Sequence, residues 1–228
     1  MAIAFDASSS KGYANSASYS WSHVVGAGSD RILIVVLTGT YNGTDNVTAG
    51  TVTYGGVSMT QLTVQHYSPS NSCRALYVYY LIAPATGTAN IVVTPTASQE
   101  LGAAAASYSG VKQTGFPDAD GGSNSGTSTS GTNSFTASTV ADNCWSVLAI
   151  ANEGTNAVSQ TGSTAFRDFE DTYKIASLFD SNAAKTPAGS VTLDVSFSGI
   201  VARHHRIFSM EPAAASAPAF VPQVIMVL

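Results

Sequence analysis

Charge is what this chain has least of. Of its 228 residues, 9 are Lys or Arg and 14 are Asp or Glu, so 10% are charged, against roughly a quarter in ordinary soluble domains. A net charge of −5 with no basic run excludes sequence-independent binding to nucleic acid, which needs clustered cations. Arg203-His204-His205-Arg206 comes nearest, yet along a strand those four side chains alternate between two faces. Cysteine is almost absent too. Cys73 and Cys144 have no second Cys or His at ligand spacing, which argues against zinc. Two thiols are expected, and a disulfide only in an oxidising compartment. No segment approaches the ~18 apolar residues of a membrane span. Met1-Ala2-Ile3-Ala4-Phe5-Asp6 lacks the basic and apolar regions of a signal peptide, so no cleaved export signal is expected. Nor does any window hold a 3.6-residue apolar period, so helices should be few and short.

What the chain does have is strand pattern, given twice. Residues 17–111 run through Ser18-Tyr19-Ser20-Trp21-Ser22, Ile32-Leu33-Ile34-Val35-Val36-Leu37, Leu76-Tyr77-Val78-Tyr79-Tyr80, Ile91-Val92-Val93 and Ala104-Ala105-Ala106. Residues 133–212 repeat the rhythm with Ser134-Phe135-Thr136-Ala137, Trp145-Ser146-Val147-Leu148, Ile175-Ala176-Ser177-Leu178 and Arg206-Ile207-Phe208-Ser209. Clean alternation, as in Val191, Leu193, Val195 and Phe197, marks strands with one dry face. Unbroken apolar runs at Ile32 to Leu37 and Val147 to Ile150 mark central strands covered on both faces. Tyr54-Gly55-Gly56-Val57 reads as a tight hairpin. The expected fold is all-β: an antiparallel, jelly-roll-like β-sandwich over residues 1–212. Two similar halves would interleave strands in one two-sheet body, joined by a Gly/Ser/Thr-rich linker over 118–133.

Residues 213–228 form a different region: a Pro/Ala linker followed by an extended, apolar C-terminal tail. Burying one large apolar side chain is worth roughly 1.5–3 kcal/mol. Phe220, Val221, Val224, Ile225, Met226, Val227 and Leu228 are therefore expected to dock, either onto their own sandwich or, preferentially, onto a neighbouring subunit by strand addition or in a groove.

Reactive chemistry is not legible. The four Glu (Glu100, Glu153, Glu170 and Glu211) sit in no apolar context that would pair a raised carboxyl with an ionised one for glycoside hydrolysis. There is no Gly-x-Ser-x-Gly elbow, and mid-strand His204 and His205 should be packed or interfacial. Asp118-Ala119-Asp120-Gly121 is a fragment of a calcium loop without its remaining ligands. No catalytic residue, metal or cofactor is expected. Tyr41, Asn42, Asp45, Tyr67 and Tyr173 offer the mix of aromatic rings, amides and carboxylate that sugar recognition uses, and they are the candidates for glycan contact.

The first half resembles β-sandwich domains of tailed-phage structural proteins and of bacterial secreted or surface proteins. The likeness lies in Asp30-Arg31-Ile32-Leu33-Ile34-Val35, Val52-Thr53-Tyr54-Gly55-Gly56-Val57, Tyr80-Leu81-Ile82-Ala83-Pro84 and Ser107-Tyr108-Ser109-Gly110-Val111. It covers residues 17–111 well and 133–212 more loosely, and the ending Phe220-Val221-Pro222-Gln223-Val224-Ile225-Met226 is similar to endings of virion proteins. The resemblance implies a non-enzymatic virion component, a capsid decoration protein or a tail or fibre part. Such a protein is made in the host cytoplasm, and its partners are copies of itself and other virion proteins. A carbohydrate-binding or adhesive module at a particle or cell surface is the second expectation. No nucleic acid or membrane partner is expected.

Overall fold

The structure, a computed structural model, describes residues 1–42, 50–67, 72–153, 158–161, 164–169, 174–200 and 202–215. The chain is an all-β, antiparallel β-sandwich protein. Its strands begin with β1 (Ala4–Ser16), β2 (Tyr19–Val25), β3 (Ile32–Asn42), β4 (Thr51–Tyr54), β5 (Val57–Ser58) and β6 (Thr60–Tyr67). β7 (Ser72–Ile82), β8 (Gly87–Thr94), β9 (Gln99–Ser109), β10 (Ala119–Thr127), β11 (Gly131–Ser138) and β12 (Trp145–Glu153) follow. Last come β13 (Val158–Gln160), β14 (Ala165–Phe169), β15 (Lys174–Asp180), β16 (Ser190–Phe197) and β17 (Ala202–Met210).

The halves do not interleave as expected. The first forms a sheet ordered β1-β9-β3-β7-β6 and a second ordered β2-β8-β4-β5. The second forms β10-β17-β12-β15-β14 and β11-β16-β13. Apart from β5, which has no counterpart, this is the same order twice, so each half is a complete two-sheet sandwich. The register agrees: Ala4 pairs with Ser109 where Ala119 pairs with Ser209, and Ile32 with Tyr108 where Val147 pairs with Phe208. Residues 6–16, which lack strand pattern, belong to β1, and residues 118–133, expected as a linker, hold β10 and the start of β11. These two strands occupy equivalent places, each the first of its repeat at the edge of a five-stranded sheet. Backbone ladders hold them there, so their Ser and Gly side chains need supply no core.

Three cores stack in line. One lies between the two sheets of the first sandwich, with Tyr19, Trp21, Tyr54 and Ile91 against Leu33, Val35, Leu37 and Tyr77. Another, between Phe135, Leu193, Val195 and Phe197 and the residues Leu148, Ile150, Phe179 and Ile207, fills the second sandwich. The middle core joins the repeats. Ile32, Ile34, Val36, Leu76, Val78 and Tyr108 meet Val147, Ala149, Leu178, Phe208 and Met210. This explains the unbroken apolar run of β3: successive side chains enter different cores, and all six from Ile32 to Leu37 are fully buried. The result is a four-layer stack of sheets.

The repeats face each other through equivalent surfaces. β15 lies on β9 as β7 lies on β17, β14 on β9 as β6 on β17, and β1 on β14 as β10 on β6. β3 and β12 meet each other on the axis. That is the isologous arrangement of a two-fold dimer, closed here within one chain. The repeat ends are stitched together as well. Val111 bridges Pro212, Ala213 N–H donates to the Gly110 carbonyl at 2.8 Å, and the Met1 amine donates to the Ala213 carbonyl.

Candidate assembly surface

The outermost sheets carry the charge deficit furthest. β2, β4, β5 and β8 contain no Asp, Glu, Lys or Arg, and β11, β13 and β16 contain Asp194 alone. Alternation turns Ser20, Ser22, Val24, Thr88 and Asn90 outward on one, and Thr132, Ser134, Thr136 and Thr192 on the other. Thr136 and Thr192 hydroxyls meet at 3.0 Å. The two faces lie at opposite ends of the stack and are related by the pseudo-two-fold.

Each outer sheet ends in a strand that has a ladder partner on one side only. Natural proteins blunt such edges with charge, Pro or bulges, because free N–H and C=O groups invite another strand. β1 and β10, edges of the inner sheets, are bulged between Phe5 and Ala7, between Lys11 and Ala14, and between Asp120 and Ser123. β2 and β11 run in unbroken register along β8 and β16, and neither holds a charged residue or Pro. These two strands carry none of those three devices; β1 runs beside β2 and β10 beside β11.

The polar clusters inside serve structure. Ser9 Oγ lies 2.8 Å from His23 Nδ1 and accepts from Trp21 Nε1 at 3.1 Å. A serine nucleophile needs a histidine that can take its proton and an acid on the other ring nitrogen. Here His23 Nε2 is buried without a partner, and burial pushes the imidazole down to about 4, so it is a poor base. Asp6 instead accepts from Ser107 Oγ at 2.7 Å and Gly26 N–H at 2.8 Å, tying β1 to the chain beyond β2. Ser125 Oγ sits 2.8 Å from His204 Nδ1, and His204 is buried where the repeats meet. Between the repeats, Asp180 is fully buried. It accepts from Arg167 Nε at 2.5 Å and Nη2 at 2.8 Å, from Tyr108 hydroxyl at 2.9 Å and from Asn182 N–H at 2.8 Å. The Arg167 guanidinium also lies 4.2 Å over the Phe5 ring.

Cys144 is a free, buried thiol that donates to Asp118 at 3.2 Å, and burial with that carboxylate pushes it up to about 12. Ser209 hydroxyl and Val140 N–H share Asp118 Oδ2, so the suspected calcium fragment is occupied by protein donors. Among the described residues no group of His, Cys, Asp and Glu could hold a metal.

Register brings Tyr41 and Tyr67 to one end of the first five-stranded sheet, where they pair with the adjacent Cys73 and Arg74. Asn42, beside Tyr41, pairs with Ser72, and Glu100 lies one strand away, opposite Thr40. The side chains of Tyr41, Asn42, Tyr67 and Cys73, and the whole of Asp45 and Tyr173, fall outside the described residues. So do Phe220, Val221, Val224, Ile225, Met226, Val227 and Leu228. These uncharged edges were visible in the sequence only as uncharged alternation at residues 19–25 and 131–138; which strands lie outermost is a property of topology. No family model, curated protein or solved structure matches the chain, so its reading rests on these surfaces.

Proposed function

We propose that this chain is a non-enzymatic structural protein of a phage virion, a capsid decoration or tail component that assembles through its β surfaces and its C-terminal tail. One observation carries the reading: β2 and β11 are uncharged, unbulged sheet edges, the state that monomeric proteins avoid. The outer faces beside them present hydroxyls and amides in place of charges, which a partner must hydrogen-bond on burial but need not neutralise. An apolar tail from a neighbouring subunit is a suitable strand for such an edge.

Sedimentation velocity across a concentration series tests this. Self-association is expected, weakened in Ser22→Lys and Ser134→Lys and in a chain ending at Ala215. A concentration-independent monomer, indifferent to all three changes, would sink the proposal. Register brings Tyr41, Asn42 and Tyr67 to one sheet end, with Tyr41 on the opposite face from the other two; a carbohydrate-binding module on the same particle is the second reading. Its check is a glycan-array signal lost in Tyr41→Ala and Tyr67→Ala.

A further inference from the structure

The two repeats differ most sharply where β17 stands for β9. The tetrapeptide Ala103-Ala104-Ala105-Ala106 is replaced, position for position, by Arg203-His204-His205-Arg206. In the first sandwich Ala103 and Ala105 lie under the large rings of Tyr19 and Trp21. The second sandwich has Asn133 and Phe135 at those places, and Asn133 uses its amide on the turn carbonyls of Thr129 and Gly131. Arg203 and His205 fill the room. The guanidinium carbon sits 4.7 Å from the Phe135 ring centre, and the His205 ring sits 4.6 Å from it.

That filling is incomplete. Arg203 Nη1 donates to His205 Nδ1 at 2.7 Å, which requires a neutral imidazole. Arg203 Nε is shielded from solvent and has no acceptor, and no carboxylate pairs with this guanidinium among the described residues. A partly buried guanidinium without a counter-charge is costly. Directly opposite Arg203 in the ladder stands Gly126, where an added Cβ would meet nothing within 4 Å. The matching position in the first repeat is Lys11, opposite Ala103 and 5.3 Å from the Tyr19 ring. The first sandwich closes this corner with its own side chain, while the second leaves it open at the exposed edge of β10.

We propose that Arg203, His205 and Phe135, with the open notch at Gly126, form a carboxylate-binding site between β10 and β11. A carboxylate seated in the notch accepts a charge-assisted hydrogen bond from Arg203 Nη2, the guanidinium nitrogen that neither His205 nor burial takes up. The Phe135 face holds the guanidinium flat from below. The site stands whether or not the chain is a virion part.

Thermal unfolding in sodium acetate, sodium glucuronate and sodium phosphate, each against chloride at equal ionic strength, tests it. Acetate and glucuronate should raise the Tm saturably, with Kd of order ~1 mM. A larger rise with glucuronate identifies a sugar acid as the ligand class; equal rises identify the bare carboxylate, as an acidic protein side chain carries it. Arg203→Gln should abolish both rises. Gly126→Glu, which supplies a carboxylate within the chain, should raise the Tm in chloride and remove the response to added carboxylate. If Arg203→Gln does not fold, Gly126→Glu decides alone. A response that survives in Gly126→Glu, no saturable rise in the native chain, or phosphate exceeding both carboxylates would overturn the assignment.

Discussion

His23 shows what a single buried residue does to the behaviour of the whole protein. It is 1% exposed, its Nε2 has no acceptor, and the edge of the Tyr54 ring stands over it. Burial lowers it to about 4, against a smaller opposing pull from Asp6. In the unfolded chain it titrates near ~6.5. Between those values the unfolded state binds more protons, so stability rises with pH. The contribution is complete above about 6.5 and lost as pH falls towards 4, by up to ~3 kcal/mol for this residue. His205, also lowered to about 4, acts in the same direction. Urea unfolding near pH 4.5 and near pH 7 should therefore differ, and His23→Gln should shrink the difference without erasing it. Arg167 makes a second residue-scale prediction. Removing it leaves the Asp180 carboxylate fully buried with only the Tyr108 and Asn182 donors, so Arg167→Ala should cost about 3–5 kcal/mol in urea unfolding.

Elements tell which parts of the fold the sequence disclosed. β3 was legible because its two-sided burial demands six consecutive large apolar residues, and β16 because one dry face imposes alternation. β1 and β10 were not legible, for one shared reason. They are edge strands whose side chains mostly face water, so Ser, Gly and Asn suffice, and their stability comes from ladders with β9 and β17 that leave no trace in composition. The candidate assembly edges were half legible: their lack of charge is in the sequence, but their outermost place follows from strand order. The facing of β17 by Phe135 was not legible either, since it depends on register between sheets. It makes an element-scale prediction. His205→Ala should destabilise by about 1–3 kcal/mol through lost packing, and Phe135→Trp should restore part of that loss, recreating the Trp21-over-Ala105 pair of the first repeat. A double-mutant cycle by thermal unfolding measures the coupling. Equal and additive losses would contradict the equivalence of the two corners.

At the scale of the whole molecule, the middle core decides whether a repeat can stand alone. Ile32, Ile34, Val36, Leu76 and Val78 are fully buried against the second repeat; a chain ending at Lys112 would expose them together. Exposed apolar patches of that extent drive association. Because the covering surface is the equivalent face of a similar sandwich, the fragment should pair with itself across that face. Sedimentation equilibrium of residues 1–112 should give a dimer, and Val36→Asp should dissolve it. A well-folded monomer of the unsubstituted fragment would show that the second repeat is not needed to shelter the first.

The near-symmetry of the stack gives the chain two similar heads pointing in opposite directions. On the assembly role proposed above, whatever gripped one head would meet almost the same grip on the other, so a single copy would work like a rivet, fastening two like plates across its own thickness of four sheets. The heads are not identical: Asp194 and the Arg203 corner belong to one alone. A rivet with a marked end knows which way round it has been driven, and that would let a chain with no polarity in its strand order acquire direction in such an assembly.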